Sequence, residues 1–324
     1  MPLPDPALDG EPVVRDLGPL AWVQDELRKS LEAAGASLRR YLREGRPPAV
    51  ELPDTTQLRL ARQHLHQGAG ALEMVGMPAA ALLLRAMETA VHRLSERPDL
   101  CTDAALGAVE AAGHALLEFL DAMLAGKAAC AVALFPQYRA VQELAGAERV
   151  HPADLWALDW RWQDPALPDA PPLACAPALR PRLDAAVLRV VKSGDTAAAR
   201  ELAALSASLA AGQLKLAPRS FWKACAGFFE ALALGLIEPD LLVKRAASRV
   251  LVQFAQLAKG EHDVSDRLAR DLVFFCGRAE APAAESAAPL LSAVRSAWQL
   301  DAFPPADYRV TRYGRFDPFL LAQL

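Results

Sequence analysis

The sequence predicts an all-α protein, and three observations carry that expectation. Hydrophobic residues make up 53% of the 324 positions but aromatics only 6%, the excess being Ala and Leu, which form helices readily and have little preference for strands. Apolar positions recur at spacings of three and four, the helical period. The joints between these runs are short and marked by caps, prolines or glycines, so successive helices fold back antiparallel as in bundles. The length exceeds one compact helical core, so two helical bundles are expected.

The first amphipathic helix covers Pro19 to about Glu44, with Leu20, Trp22, Val23, Leu27, Leu31, Ala34, Leu38 and Leu42 on its apolar side, and ends at GRPP. Asp54 and Thr55 offer an N-cap for a second helix that runs to about Gly76. Pro78 suits the first turn of a third, Ala79 to Arg97, which Pro98 stops. Thr102 or Asp103 caps a fourth helix reaching Leu124, with Gly126 as its C-terminal signal. A fifth begins near Ala129 and fades at Gly146. These helices make a bundle over residues 19–148, after an acidic, proline-rich tail (1–18) expected to be disordered.

The segment 149–178 changes character, with many prolines and with Trp156, Trp160 and Trp162. It reads as a linker whose tryptophans pack on a domain surface or occupy a partner's groove, because three indoles do not stay in water. A second helical domain follows over 179–300: Leu179–Lys192, Thr196–Ala211, Pro218–Ile237, Pro239–Ala258, Val264–Cys276 and Ala283–Trp298. Asp195 caps one of these helices and Ser265 or Asp263 another; Trp222, Phe228 and Phe229 read as core of the second bundle, with a docking face as the alternative. The tail 301–324 has an extended look at ADYRV, which either pairs as a short strand or docks, and its abrupt end at FLLAQL hints at truncation. No short repeat is visible.

Several function classes are disfavoured. Net charge is −4, with 35 basic and 39 acidic residues interspersed, so no basic stripe for nucleic acid forms. The five cysteines lie far apart with no CxxC pair, which argues against a disulfide framework and against zinc. No signal peptide and no apolar run of membrane-spanning length is present, and a cytoplasmic protein without membrane insertion is expected. His92 and His114 lack ligand partners at metal spacing, and His151 and His262 read as solvated, so no metal or cofactor is expected. No phosphate loop, nucleophile elbow, kinase ATP-lid motif or cysteine beside a base is found, so the chain is not a self-sufficient kinase.

One stretch stands out, HLHQGAGALEMVGM. On a helix His66 has Arg62 and Gly70 on its own side, with Ala69 adjacent, while His64 turns away. A phosphoryl-carrying histidine must be exposed mid-helix, have a small neighbour to admit a partner's aspartate, and have a cation nearby. Gly70 supplies the room; a helical glycine costs about 1 kcal/mol against alanine, so Gly68 and Gly70 together point to a need for space. Arg62 is the cation in reach.

The pattern His66, Gly70, Gly76, followed by LLLRAMETAVHRL, resembles a histidine phosphotransfer (Hpt) domain, whose helical bundle presents an acceptor histidine. More narrowly, LHQGAGALEMVGMPAAALLLRAMETAV and AWVQDELRKSLEAAGASL resemble the N-terminal Hpt-like region shared by FimL-type scaffold proteins and ChpA-type hybrid kinases. GDTAAARELAALSASL and RSFWKACAGFFEALALGL resemble the second helical domain of the same group, so the likeness covers nearly the whole chain except the tail. In Hpt domains a lysine stands three residues after the histidine, and here that place holds Ala69, which removes a charge that would neutralise a phosphoryl group. The family keeps an acidic residue on the third helix where Glu88 falls; a glutamate there either bonds a neighbouring element or is plain surface.

The resemblance implies a non-enzymatic scaffold of a chemotaxis-like two-component pathway that regulates type IV pili and twitching motility. Its implied partners are response-regulator receiver domains, a histidine kinase or a polar-landmark protein, with recruitment to the cell pole. Docking would use Arg62, His66, Ala69 and Gly70 or the second domain. The alternative is a working phosphotransfer domain, the N-terminal part of a hybrid kinase, with His66 as phosphoacceptor. A ligand-sensing bundle with an apolar pocket is a third class, for which no sequence feature speaks.

Overall fold

The computed structural model describes residues 17–44, 54–261, 263–282, 284–304 and 306–314. The expectations about the N-terminal tail before residue 17, the GRPP stop, His262 and the end at FLLAQL lie outside the described residues. Among those described, the chain is all-helical, with α1 Gly18–Glu44, α2 Thr56–Met74, α3 Pro78–Glu96, α4 Asp103–Leu124, α5 Phe135–Ala145, α6 Arg180–Ser193, α7 Thr196–Ala211, α8 Leu216–Ala233, α9 Leu241–Ala258, α10 Asp266–Arg278 and α11 Pro289–Ala297. None of these helices is long and apolar enough to cross a membrane.

The chain divides into two compact units, one made of Met1–Ala129, Pro136–Glu148 and Val310–Leu324, the other of Cys130–Phe135 and Arg149–Arg309. In the first, α2 packs between α1 and α3, and α4 closes the bundle against both. Leu27 and Leu38 of α1, Leu58, Leu65 and Leu72 of α2, Leu84 and Val91 of α3, and Leu116 and Phe119 of α4 form its core. The Thr102 side chain caps α4 by accepting from Ala105 N at 3.2 Å. The start of α2 is braced differently from the expectation: Thr55 makes no side-chain cap, and Asp54 Oδ1 accepts from Thr56 N at 2.9 Å. The end of the described chain docks rather than pairing as a strand. Gln137 Nε2 donates to Tyr313 O at 2.6 Å, Gly314 N donates to Glu118 Oε2 at 3.0 Å, and the Tyr313 ring meets Phe119 edge-on.

In the second unit α8 is the central element, with α7, α10 and α11 packed on it, while α6 lies against α7 and α9. Phe221, Trp222, Phe228 and Phe229 of α8 are fully buried, so the aromatic run is core. Asp195 caps α7 by accepting from Ala197 N and Ala198 N, and Ser265 rather than Asp263 caps α10.

The tryptophan-rich segment is part of this unit rather than a free connection. Trp156 is buried edge-on against Phe274, Trp160 stacks on Trp298 at 5.8 Å, and Trp298 Nε1 donates to Arg161 O at 3.0 Å. Asp164 pairs with Arg219 at 2.9 Å and Lys223 at 2.7 Å, and Leu173 N donates to Ser208 O at the end of α7. Burying indoles offsets the entropy of ordering a proline-rich chain that is already stiff. His151, expected in solvent, is instead buried, its Nδ1 accepting from Ala153 N at 3.1 Å to cap the short helical turn Pro152–Leu155.

Candidate functional site

The core stripe of α2 runs Leu58, Ala61, Leu65, Ala69 and Leu72, spaced at three and four. The flank of the helix beside this stripe carries Arg62, His66 and Glu73, all exposed. The His66 side chain is 63% exposed. Nδ1 lies 3.2 Å from both carboxylate oxygens of Glu88 on α3 and 2.9 Å from Arg85 Nη1. Arg85 is itself held by Glu73, at 3.1 and 3.0 Å, and by Glu88 at 3.1 Å. Arg62 Nε stands 3.5 Å from Glu88 and its guanidinium 3.4 Å from His92 Nδ1. Glu88, only 14% exposed, is the hub of this cluster rather than plain surface.

The cation beside the ring is thus Arg85, from the neighbouring helix, and not Arg62 as the sequence suggested. Arg85 escapes a reading confined to one helix because it arrives from 19 residues away; its spacing of three from Glu88 on α3 is the signal that could have found it. Ala69, expected among the docking residues, is fully buried in the core stripe and takes no part in an exposed face. Position 69 lies 300° round the helix from His66, which on this bundle points to the core. His64 is half-exposed, and His92 lies at the cluster's edge, 3.5 Å from Glu96.

The electrostatics are balanced. Burial pushes the Glu88 carboxyl up, but Arg85 and His66 together outweigh it, so its pKa lies below the usual range. The hydrogen bond from Arg85 lowers Glu73, and the same bond raises Arg85. Both carboxylates are therefore ionised at neutral pH, and Arg85 spends its donors on them. Where Glu88 accepts from His66 Nδ1–H, the lone pair of the ring lies on Nε2. If Nδ1 instead accepts from Arg85, the proton sits on Nε2 and the ring is no nucleophile. Both contacts are charge-assisted, one through the ionised donor Arg85 and the other through the ionised acceptor Glu88, so the geometry accommodates either tautomer.

The two glycines separate by environment. A Cβ on Gly68 would stand 2.9 Å from Leu27 Cδ1 and 3.2 Å from Leu84 Cδ1, so Gly68 lets three helices approach closely. A Cβ on Gly70 would meet nothing within 4 Å, so the space beside His66 is open. Gly70→Ala is expected to gain helix propensity and exceed Gly68→Ala in stability by about 1–2 kcal/mol, read from urea midpoints. Equal midpoints would remove the packing role of Gly68.

Elsewhere in this unit a cleft of about 560 Å³ is walled by Leu31, Ala34, Leu65, Met87, Val109 and Leu117, with Arg39, Glu110 and His114 also lining it. It gives the ligand-sensor reading a cavity of suitable size. Among the described residues no cluster of His, Cys, Asp and Glu could hold a metal ion.

No curated protein and no solved structure matches the chain. Residues 168–311 match the family model of the FimL scaffold protein second domain. That stretch begins inside the proline-rich segment and takes in α6 to α11. The chain accordingly carries a FimL-type second domain over residues 168–311.

Proposed function

We propose that the protein is a scaffold of a chemotaxis-like two-component pathway that regulates type IV pili and twitching motility. The match of residues 168–311 to a scaffold domain carries this reading. The first bundle, Hpt-like by resemblance, docks a receiver domain or kinase on the face that Arg62, His66 and Gly70 share with Arg85 and Glu88; a polar-landmark protein is the other partner class, bringing this cytoplasmic chain to the cell pole. The open space at Gly70 supports docking there, since an incoming helix needs backbone-close approach. The face carries two arginines against two glutamates, so it is nearly neutral and selects a partner by shape more than by charge.

A second reading, that His66 accepts a phosphoryl group, is favoured by one observation, the Nδ1 contact with Glu88, which in the tautomer that donates to Glu88 leaves the lone pair on the exposed Nε2. A phosphoryl group there would bring about two negative charges beside Glu88, and Arg85 and Arg62 are the cations placed to offset them. The test mixes the chain with its kinase core, its receiver and labelled ATP. The scaffold reading expects receiver or kinase binding that Gly70→Trp abolishes, with no acid-labile label on the chain. Label that disappears only in His66→Gln, and falls in Glu88→Gln, establishes phosphotransfer instead. Absence of both binding and label overturns both readings.

A further inference from the structure

We infer that the outward side of α9 is a second docking surface, and that its occupant is an acidic amphipathic helix of a partner protein. α9 reads LLVKRAASRVLVQFAQLA and contains no acidic residue, although the chain as a whole is net negative. Its inner side, Val243, Ala247, Val250, Phe254 and Leu257, is core. Positions 241, 245, 249, 252, 256 and 259 fall at helical spacing on the other side, and all six are exposed. They are Leu241, Arg245, Arg249, Val252, Gln256 and the C-capping Lys259. Leu241 and Val252 are 57% and 60% exposed, which puts two aliphatic side chains in water with cations between and beyond them.

Most arginines in this unit are engaged. Arg180 pairs with Asp184, Arg182 and Arg189 pair with Glu201, and Arg219 pairs with Asp164. Among the described residues the side chains of Arg245 and Lys259 make no ion pair, while Arg249 lies near enough to the buried Asp271 to help keep it ionised. α6, packed beside α9, adds the exposed Leu188.

Charge complementarity selects an acidic occupant, and the spacing selects its form. Leu241 and Val252 are eleven residues apart on one helix, about 16 Å along its axis. A helix with two apolar anchors at the same interval and glutamates between them matches the stripe residue for residue. A bilayer surface is a poorer occupant, because two aliphatics in a stripe of six give little area to bury among acyl chains. This surface rests on the scaffold reading only in taking a protein as partner, and it lies in the other unit from His66.

The experiment titrates the full chain with a labelled helical peptide of about 20 residues, carrying two leucines eleven apart and glutamates between them. Binding is expected, weakening at least about tenfold between 0.05 and 0.5 M salt. A further loss of at least about tenfold is expected in Arg245→Glu/Arg249→Glu and in the milder Arg245→Gln/Arg249→Gln, with unchanged helical circular dichroism. Val252→Asp should weaken binding too. No binding to the wild type, equal binding to every variant, or retention on phosphatidylserine vesicles in place of the peptide overturns the proposal. Receiver binding is followed separately through Gly70→Trp, so failure of one surface leaves the other standing.

Discussion

Arg149→Ala is expected to cost the second unit about 3–5 kcal/mol at neutral pH, because it leaves a buried carboxylate without its counter-charge. Asp271 of α10 is only 3% exposed, and Arg149 Nη2 donates to both of its oxygens while Nη1 donates to Asp154 at 3.1 Å. His151, 3.2 Å from Asp271, cannot replace the arginine. Its Nδ1 already accepts from Ala153 N, and burial followed by Arg149, Arg249, Arg267 and Arg270 pushes its pKa well below the usual histidine value. Burial raises Asp271 to about 6 even against the pull of Arg149. A folded-state value above the unfolded one means that this group's contribution is fully present below about 4 and is lost as pH rises through about 6. The wild type should therefore gain stability from Asp271 between pH 7.5 and 5. Asp164 and Asp195, both lowered by hydrogen bonds, act with the opposite sign and withdraw their share only at lower pH. In Arg149→Ala the carboxyl binds a proton more readily, so the deficit at pH 7.5 should exceed that at pH 5. Urea denaturation at the two pH values measures it, and a deficit below about 1 kcal/mol at both would show that the pair is replaceable by water.

Arg149 and Asp271 are 122 residues apart in sequence. Nothing local in AGAERVHPADL announces that its arginine meets a carboxylate on α10, so the cluster was beyond a reading based on period and caps. Features that are local were legible. α7 runs over the residues expected, because Asp195 before an alanine-rich run is a complete start signal and Gly212 follows its end. α8 shows where the reading overshot. Pro218 lies in the first turn but not at its first position, so the helix begins at Leu216, and it stops at Ala233 instead of reaching Ile237. Gly235 takes φ of +71°, and Leu236 N donates back to Ala231 O, a left-handed termination that Leu-Gly-Leu spells in the sequence. At the His66 face the histidine, its glycine and Arg62 were legible on one helix. Arg85 was not, because a cluster built across two helices depends on their register, which helical period does not encode.

Gly212→Ala is expected to destabilise the second unit by about 2–3 kcal/mol, and the reason lies in the proline-rich segment rather than in α7. The backbone at Gly212 has φ of −82°, open to any residue, so conformational freedom is not what glycine supplies here. Closeness is. A Cβ at this position would overlap the Leu173 carbonyl oxygen and stand 2.8 Å from its carbon. Leu173 is held there because its N–H donates to Ser208 O at 2.9 Å, satisfying one of the carbonyls left over at the end of α7. The obstructing atoms are backbone and cannot rotate aside. Alanine must displace the chain around Leu173, breaking that bond and loosening the attachments on either side, from Asp164 on Lys223 to Cys175 beside Phe254. The loss should therefore be local as well as global. Hydrogen exchange of residues 164–175 should accelerate in Gly212→Ala more than in a core variant of equal cost such as Val250→Ala, and tryptophan emission should shift red as the stacked Trp160 opens to water. An unchanged urea midpoint with unchanged exchange in this segment would mean that the segment tolerates displacement, and the second unit would then be held by its helices alone.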